Sequence, residues 1–393
     1  MPSVRTTISV TLSIALLLAL TSSVAANGGP KATHPPIFPL VTRWSIEIAG
    51  PPVAGASPIV DEQHVYVALR AGQIVAHDLT DGRERWRHKV AAAHPMAVEA
   101  NLVFAATEET IHALRVSDGA LAWEAPAKTT APLLARAGWV IALADGKALA
   151  LRAADGTRVW ERDVGAATER PAIDGDQLYI SLDDGRIIAL QMSSGDLIWE
   201  RRLGGVAQAP LVTGDRVYAG AADKQFYCLN ARNGEIEYQR RVGAAPQGPA
   251  AADTSHVFAA TLDNMLRAYA RGSGNQRWLH PLKRRPSTGP FVVGSAVLIA
   301  SSSSAEIWAW TTSGKPAGTI ATPAEPAVPP EFVDRGAEGA FILVVTGGLT
   351  NQWQLTLLGT AGDPPLQPLG GLPGDVIDQP LMVLPGEVIE LRR

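Results

Sequence analysis

The chain has 393 residues, 46% hydrophobic and 18% charged, with 37 glycines and 29 prolines, a composition too apolar for wholesale disorder and long enough to bury a large core. Its 34 basic and 38 acidic side chains give a net charge of -4, so no cationic excess exists to neutralise a phosphate backbone, and nucleic acid is excluded as a leading partner. A single cysteine, Cys228, rules out an intramolecular disulfide framework, a thiolate metal cage and a Cys-x-x-Cys redox pair.

In chain order, residues 1–26 read as a signal peptide: Arg5, an apolar run from Ile8 to Leu20, then Val24 and Ala26 in small-residue cleavage positions. That run of 13 residues is short of the roughly 20 needed to cross a bilayer, so the expected mature product is exported, periplasmic or extracellular, and soluble, without a membrane span. No cysteine follows the run to carry a lipid. Residues 27–40, with Pro30, Pro35, Pro36 and Pro39, read as an extended linker, and residues 41–393 as one repeat domain.

Inside that domain an eleven-residue cassette, running from a small residue through a turn to an aromatic, ends at Trp86, Trp123, Trp160, Trp199, Tyr238 and Trp278, at intervals of 37, 37, 39, 39 and 40 residues. A proline keeps the same beat at Pro58, Pro95, Pro132, Pro171, Pro210, Pro249, Pro290 and Pro330. Within one period, the Val-, Ile- and Tyr-rich runs starting at Pro58, Val65, Ile74 and Glu84 predict four strands, with turn pairs such as Asp81-Gly82, Asp118-Gly119 and Ser194-Gly195 ahead of the fourth. A four-stranded meander cannot cover both its faces alone, whereas meanders stacked about an axis can. The expectation is therefore all-β: an eight-bladed β-propeller of four-stranded antiparallel blades, with the looser repeats after Pro290 leaving seven or nine blades open.

Trp44 to Ile48 matches an outer strand such as Trp160 to Val164, but nothing upstream supplies its three inner strands. They are expected from the carboxyl end, where Phe341 to Val345 and Trp353 to Leu358 read as strands and Gln379 to Leu391 as a further pair, so that the amino-terminal strand closes the ring. The proline should open each innermost strand, where a missing N–H harms the ladder least. The aromatics Trp44, Trp86, Trp123, Trp160, Trp199, Tyr238 and Trp278 should wedge between blades.

The cassette, with Asp or Ser before Gly and Trp four residues after it, resembles the pyrroloquinoline-quinone-type propeller repeat from about Trp44 to Leu391. Two branches share that repeat: the quinoprotein alcohol and sugar dehydrogenases, and the non-catalytic BamB-type outer-membrane protein assembly factors. Fold alone does not choose between them. The resemblance to the alcohol dehydrogenases implies a disulfide of adjacent cysteines against the quinone, which one cysteine cannot make, and the acidic residues here mostly occupy turns, as Asp118, Asp155, Asp183 and Asp184 do. The eight histidines lack zinc-type spacing, His77-Asp78 alternates faces along a strand, and Cys228 stands where other copies have Ala.

The leading expectation is thus a non-enzymatic exported scaffold, without cofactor or metal, whose inter-blade loops meet a protein partner. The resemblance implies the outer-membrane barrel-assembly machinery as that partner, with a monomer outside the complex. A quinone-dependent dehydrogenase and a ligand-sensing or adhesive module are the alternatives. The loop Gly204 to Ala209 is uncharged, so Arg162, Asp163 and Arg170 stand as the partner-contact candidates, and Lys283-Arg284-Arg285 reads as a solvated basic loop.

Overall fold

The computed structural model describes residues 40–335, 339–347 and 352–360. The expected signal peptide at residues 1–26, nearly all of the expected linker at residues 27–40 and the strand pair expected at Gln379 to Leu391 lie outside them. The described residues contain 32 strands and no helix, arranged as eight four-stranded antiparallel sheets. The looser tail does not change the blade number from eight. Blade 1 holds β2 (Ile59–Val60), β3 (His64–Leu69), β4 (Gln73–Asp78) and β5 (Glu84–His88), in that spatial order. Blades 2 to 7 repeat the arrangement over residues 97–126, 134–163, 172–202, 211–241, 251–281 and 291–321.

Blade 8 closes the ring. Its strands are β30 (Glu331–Asp334), β31 (Ala340–Gly347), β32 (Trp353–Thr360) and then β1 (Leu40–Ile48), which pairs antiparallel with β32 from Leu40 opposite Thr360 to Ile48 opposite Trp353. The ends of the described chain therefore hydrogen-bond to one another, and no blade is left half-built.

Each blade is held to the next by the cassette. Between third and fourth strands the register slips by one residue, so that Ala150 faces Trp160 while Leu151 faces Arg158, leaving Val159 as the extra, bulged residue. The bulge turns the tryptophan across the seam and its predecessor toward solvent, where Val159 is 43% exposed. Trp160 Nε1 then donates to the Met192 carbonyl at 2.7 Å, in the third-to-fourth turn of the following blade. The same tether joins Trp44 to Leu79, Trp86 to Val116, Trp123 to Ala153, Trp199 to Ala231 and Trp278 to Thr312, with the Tyr238 hydroxyl reaching Arg271. All seven aromatics singled out by the repeat thus bridge blades. The tight turns show why glycine ends each pair: Gly119 sits at φ +69°, and a Cβ there would lie 2.4 Å from the Trp86 ring.

A second bond crosses several seams two residues beyond the aromatic. Arg162 Nη1 donates to the Gly195 carbonyl at 3.0 Å, and Arg201 and Arg240 donate through Nε to Gly234 and Gly274 at 2.7 Å. His280 Nε2 lies 2.7 Å from the Gly314 carbonyl at the next seam. The seam between blades 7 and 8 lacks the aromatic. Gly318, opposite Ala309, holds the tryptophan's place, and nothing stands within 4 Å of where its Cβ would point. The cause is topological: the third and fourth strands of blade 8 come from opposite ends of the chain, so no hairpin turn exists to receive an indole. That seam is packed instead by Ile320, Ile342 and Leu358, with Phe291 against Phe332 at 4.1 Å.

Candidate functional site: the axial cavity and the inter-blade loops

Every innermost strand starts one or two residues after its beat proline, and six of these prolines (Pro95, Pro132, Pro171, Pro210, Pro249 and Pro330) wall an axial cavity of about 330 Å³. A pyrrolidine ring has no N–H to satisfy, so it can face the axis without leaving an orphan donor. Met96, Val212 and Phe291 complete the apolar wall, and the polar lining includes Arg170, Glu169, Glu331 and Asp334.

Arg170 precedes the innermost strand of blade 4 and Glu331 opens that of blade 8, which lie on opposite sides of an eight-membered ring. Both border a space that admits water, so each is partly accessible, yet protein surrounds them on every side. Burial pushes the Glu331 carboxyl up to about 7, with the opposing Arg170 charge pulling the other way. Burial likewise lowers Arg170, partly offset by Glu331. Glu169 is raised by burial, against a hydrogen bond from the Ala209 backbone.

A pH dependence follows. Glu331 binds its proton more tightly folded than unfolded, so its contribution is favourable below its ordinary value of 4.5 and is lost as pH rises through about 7. Glu331→Gln, an uncharged isostere, is expected to match the wild type near pH 4 and to exceed it above pH 7 by on the order of 1 to 3 kcal/mol in chemical denaturation. Equal stability of the two proteins at pH 8 would refute the assignment.

The sequence candidates are not brought together. Arg162 and Asp163 end the outer strand of blade 3, and Arg170 lies at the inner end of the loop that leaves it, so the loop carries the chain from rim to axis. Arg162 is half-buried on the Gly195 carbonyl, Asp163 is exposed at the rim, and Arg170 lines the cavity. Glu331 was not singled out from sequence, although it directly follows a beat proline just as Arg170 directly precedes one, and that adjacency is the signal for an axial position. Elsewhere, Cys228 is fully buried with its thiol pushed up to about 12 by burial, which keeps it protonated and unreactive. His77 and Asp78 diverge as expected, His77 contacting Gly82 and Asp78 contacting Thr80 and Arg85. The basic loop residues Lys283, Arg284 and Arg285 are exposed, with Lys283 3.7 Å from Glu306.

The quinone of the dehydrogenase branch is a polycarboxylate held with calcium. Here the axial lining sets one arginine against Glu169, Glu331 and Asp334, and among the described residues no three His, Cys, Asp or Glu side chains converge as metal ligands. That lining does not fit a polyanionic quinone, and no chemical step is derived through one.

The solved structures similar to this chain share its ring. BamB from Moraxella catarrhalis aligns with a TM-score of 0.68 at 17% identity, over 83% of this chain and 98% of that one. A quinohemoprotein alcohol dehydrogenase from Comamonas testosteroni aligns with 0.64 at 13% identity, over 83% and 77%. The computationally designed protein Ika8 aligns with 0.65 at 14%, over 79% and 98%. At such identities the likeness is one of fold, and a fold shared by a dehydrogenase and a designed protein specifies no activity. No curated protein sequence matches significantly. The sequence itself matches the family described as outer membrane protein assembly factor BamB over residues 41–173 and 144–333, which together span most of the ring. The chain belongs to that BamB family of pyrroloquinoline-quinone-like β-propellers.

Proposed function

We propose that the protein is a non-catalytic, exported scaffold that acts by protein–protein contact in the assembly of outer-membrane proteins. The observation that carries this reading is the family match across nearly the whole ring. Two features of the site agree with it. Among the described residues the axial cavity gathers no cluster of metal ligands and has a charge balance unfavourable to a quinone, while the tethered ring supports the inter-blade loops as a platform. The signal-peptide reading of residues 1–26 supports export to the periplasm or the extracellular space, and the protein is carried in this reading as soluble and a monomer outside its complex. Arg162, Asp163 and Arg170 are carried as contact candidates along the loop between blades 3 and 4, with Asp163 the exposed one of the three.

The test pairs two assays on the mature protein. Affinity capture from envelope extracts, followed by mass spectrometry, should recover components of the outer-membrane barrel-assembly machinery, with Asp163→Arg reducing recovery about tenfold, the scale of one lost charge contact. Incubation with the quinone and calcium should give no dye reduction with alcohols or sugars. Quinone-dependent turnover, or capture free of any assembly component, would overturn the reading.

A further inference from the structure

The second position of the cassette is leucine in four copies (Leu114, Leu151, Leu190 and Leu229), tyrosine at Tyr269 and histidine only at His77. All six side chains are buried, and the four leucines and Tyr269 each share a cluster with the aromatic of the preceding blade. His77, 5% exposed, therefore replaces a core leucine at one particular seam, the one where β1 and the Trp44 tether complete the ring.

Its hydrogen bonding fixes its state. Nδ1 lies 3.0 Å from the Gly82 carbonyl, and a carbonyl only accepts, so Nδ1 carries a hydrogen and, in the neutral ring, Nε2 bears the lone pair. Nε2 is shielded from solvent and has no hydrogen-bond partner. Val65 lies opposite His77 in the sheet, and Trp44, Ile48, Val67 and Val75 belong to the same apolar cluster at that seam. The charged groups facing this wall are few. Glu84 and Arg87 on β5 are paired with each other at 2.7 Å, Glu47 on β1 is exposed at the mouth of the adjoining cleft, and β32 carries no titratable side chain.

We propose that His77 is an acid-sensitive element of the ring closure, neutral and tolerated in the seam at neutral pH and loosening the amino-terminal strand when Nε2 takes up a proton. A proton there creates a donor and a charge at an atom that has no acceptor in the closed seam. Although Glu84 and a cleft lined by Glu47, Glu84 and Arg87 adjoin the ring, burial outweighs them, so the charged form is disfavoured while β1 is closed and gains a partner when β1 moves away. Burial lowers the His77 pKa below the ordinary 6.5, in agreement with this direction. The sign follows: the opened state binds the proton more readily than the closed one, so closure is undiminished above about 6.5 and weakens as pH falls below it, by up to tenfold in the opening equilibrium per pH unit. An exported protein meets external pH directly, and the other copies of the cassette, with leucine or tyrosine in this position, lack the element.

Hydrogen–deuterium exchange on the intact mature protein tests it, with rates divided by the intrinsic rate at each pH. Between pH 7.5 and 5.5, protection of β1 is expected to fall up to tenfold while that of the blade 4 strands holds. In His77→Leu, which restores the residue of the other copies, and in His77→Gln, which keeps a neutral polar side chain, β1 protection should be the same at both pH values. Unchanged β1 protection in the wild type, or an equal fall in a folded variant, overturns the proposal. An NMR titration of the wild type gives a check independent of the variants: a His77 midpoint at or above 6.5 also overturns it.

Discussion

Replacing Trp160 by alanine is expected to destabilise the ring by about 3 to 5 kcal/mol, the usual cost of emptying a buried indole site. The side chain is 9% exposed and packs with Leu178, Ile188, Leu190 and Met192 of the next blade. The truncation also strips the Met192 carbonyl of its donor. Trp160→Phe separates the two contributions, since the ring still fills most of the seam while Nε1 is lost, and should cost about 1 to 2 kcal/mol. Chemical denaturation monitored by circular dichroism reads both values. A wild-type midpoint for Trp160→Ala would mean that the blades cohere without their aromatic wedges.

The architecture was legible because repetition multiplies a weak local signal. One Asp-Gly turn before a tryptophan is a commonplace, but six copies spaced 37 to 40 residues apart demand identical units. Ring closure was legible for a different reason: Trp44 to Ile48 is an outer strand with no blade of its own, and only the far end of the chain could supply one.

Beyond the aromatic wedges, the polar contacts between units were not legible, since the repeat pattern describes one blade and is silent on which charges face it. Arg162 stands out in sequence as a free charge, and only the seam shows its guanidinium on the Gly195 carbonyl. Arg170 and Glu331 are far apart in sequence and in different blades, so the electrostatic influence of each on the other across the axis needed the ring to be built first. His77 is the intermediate case. Its departure from the leucine of other copies is visible in the sequence, but that its Nε2 would have no acceptor in the closed seam depends on the bulge and on β1 coming from the other end of the chain.

The turn glycines bring the second large effect. Gly119→Ala meets two penalties together, a left-handed backbone at φ +69° and a Cβ 2.4 Å from Trp86 Cε3. The first costs about 1 to 2 kcal/mol for any residue with a Cβ. The second forces the indole to shift within a packed seam, which adds about 1 to 3 kcal/mol. Gly138→Ala isolates the first penalty, because Gly138 has φ +81° and open space around its Cβ position. The excess of Gly119→Ala over Gly138→Ala thus measures the contact between blades 1 and 2, and it should vanish in a Trp86→Ala background, where no ring is left to displace. If the excess persists without the indole, the glycine is required by its own turn alone, and the coupling of turn to wedge that holds each blade to the next is wrong.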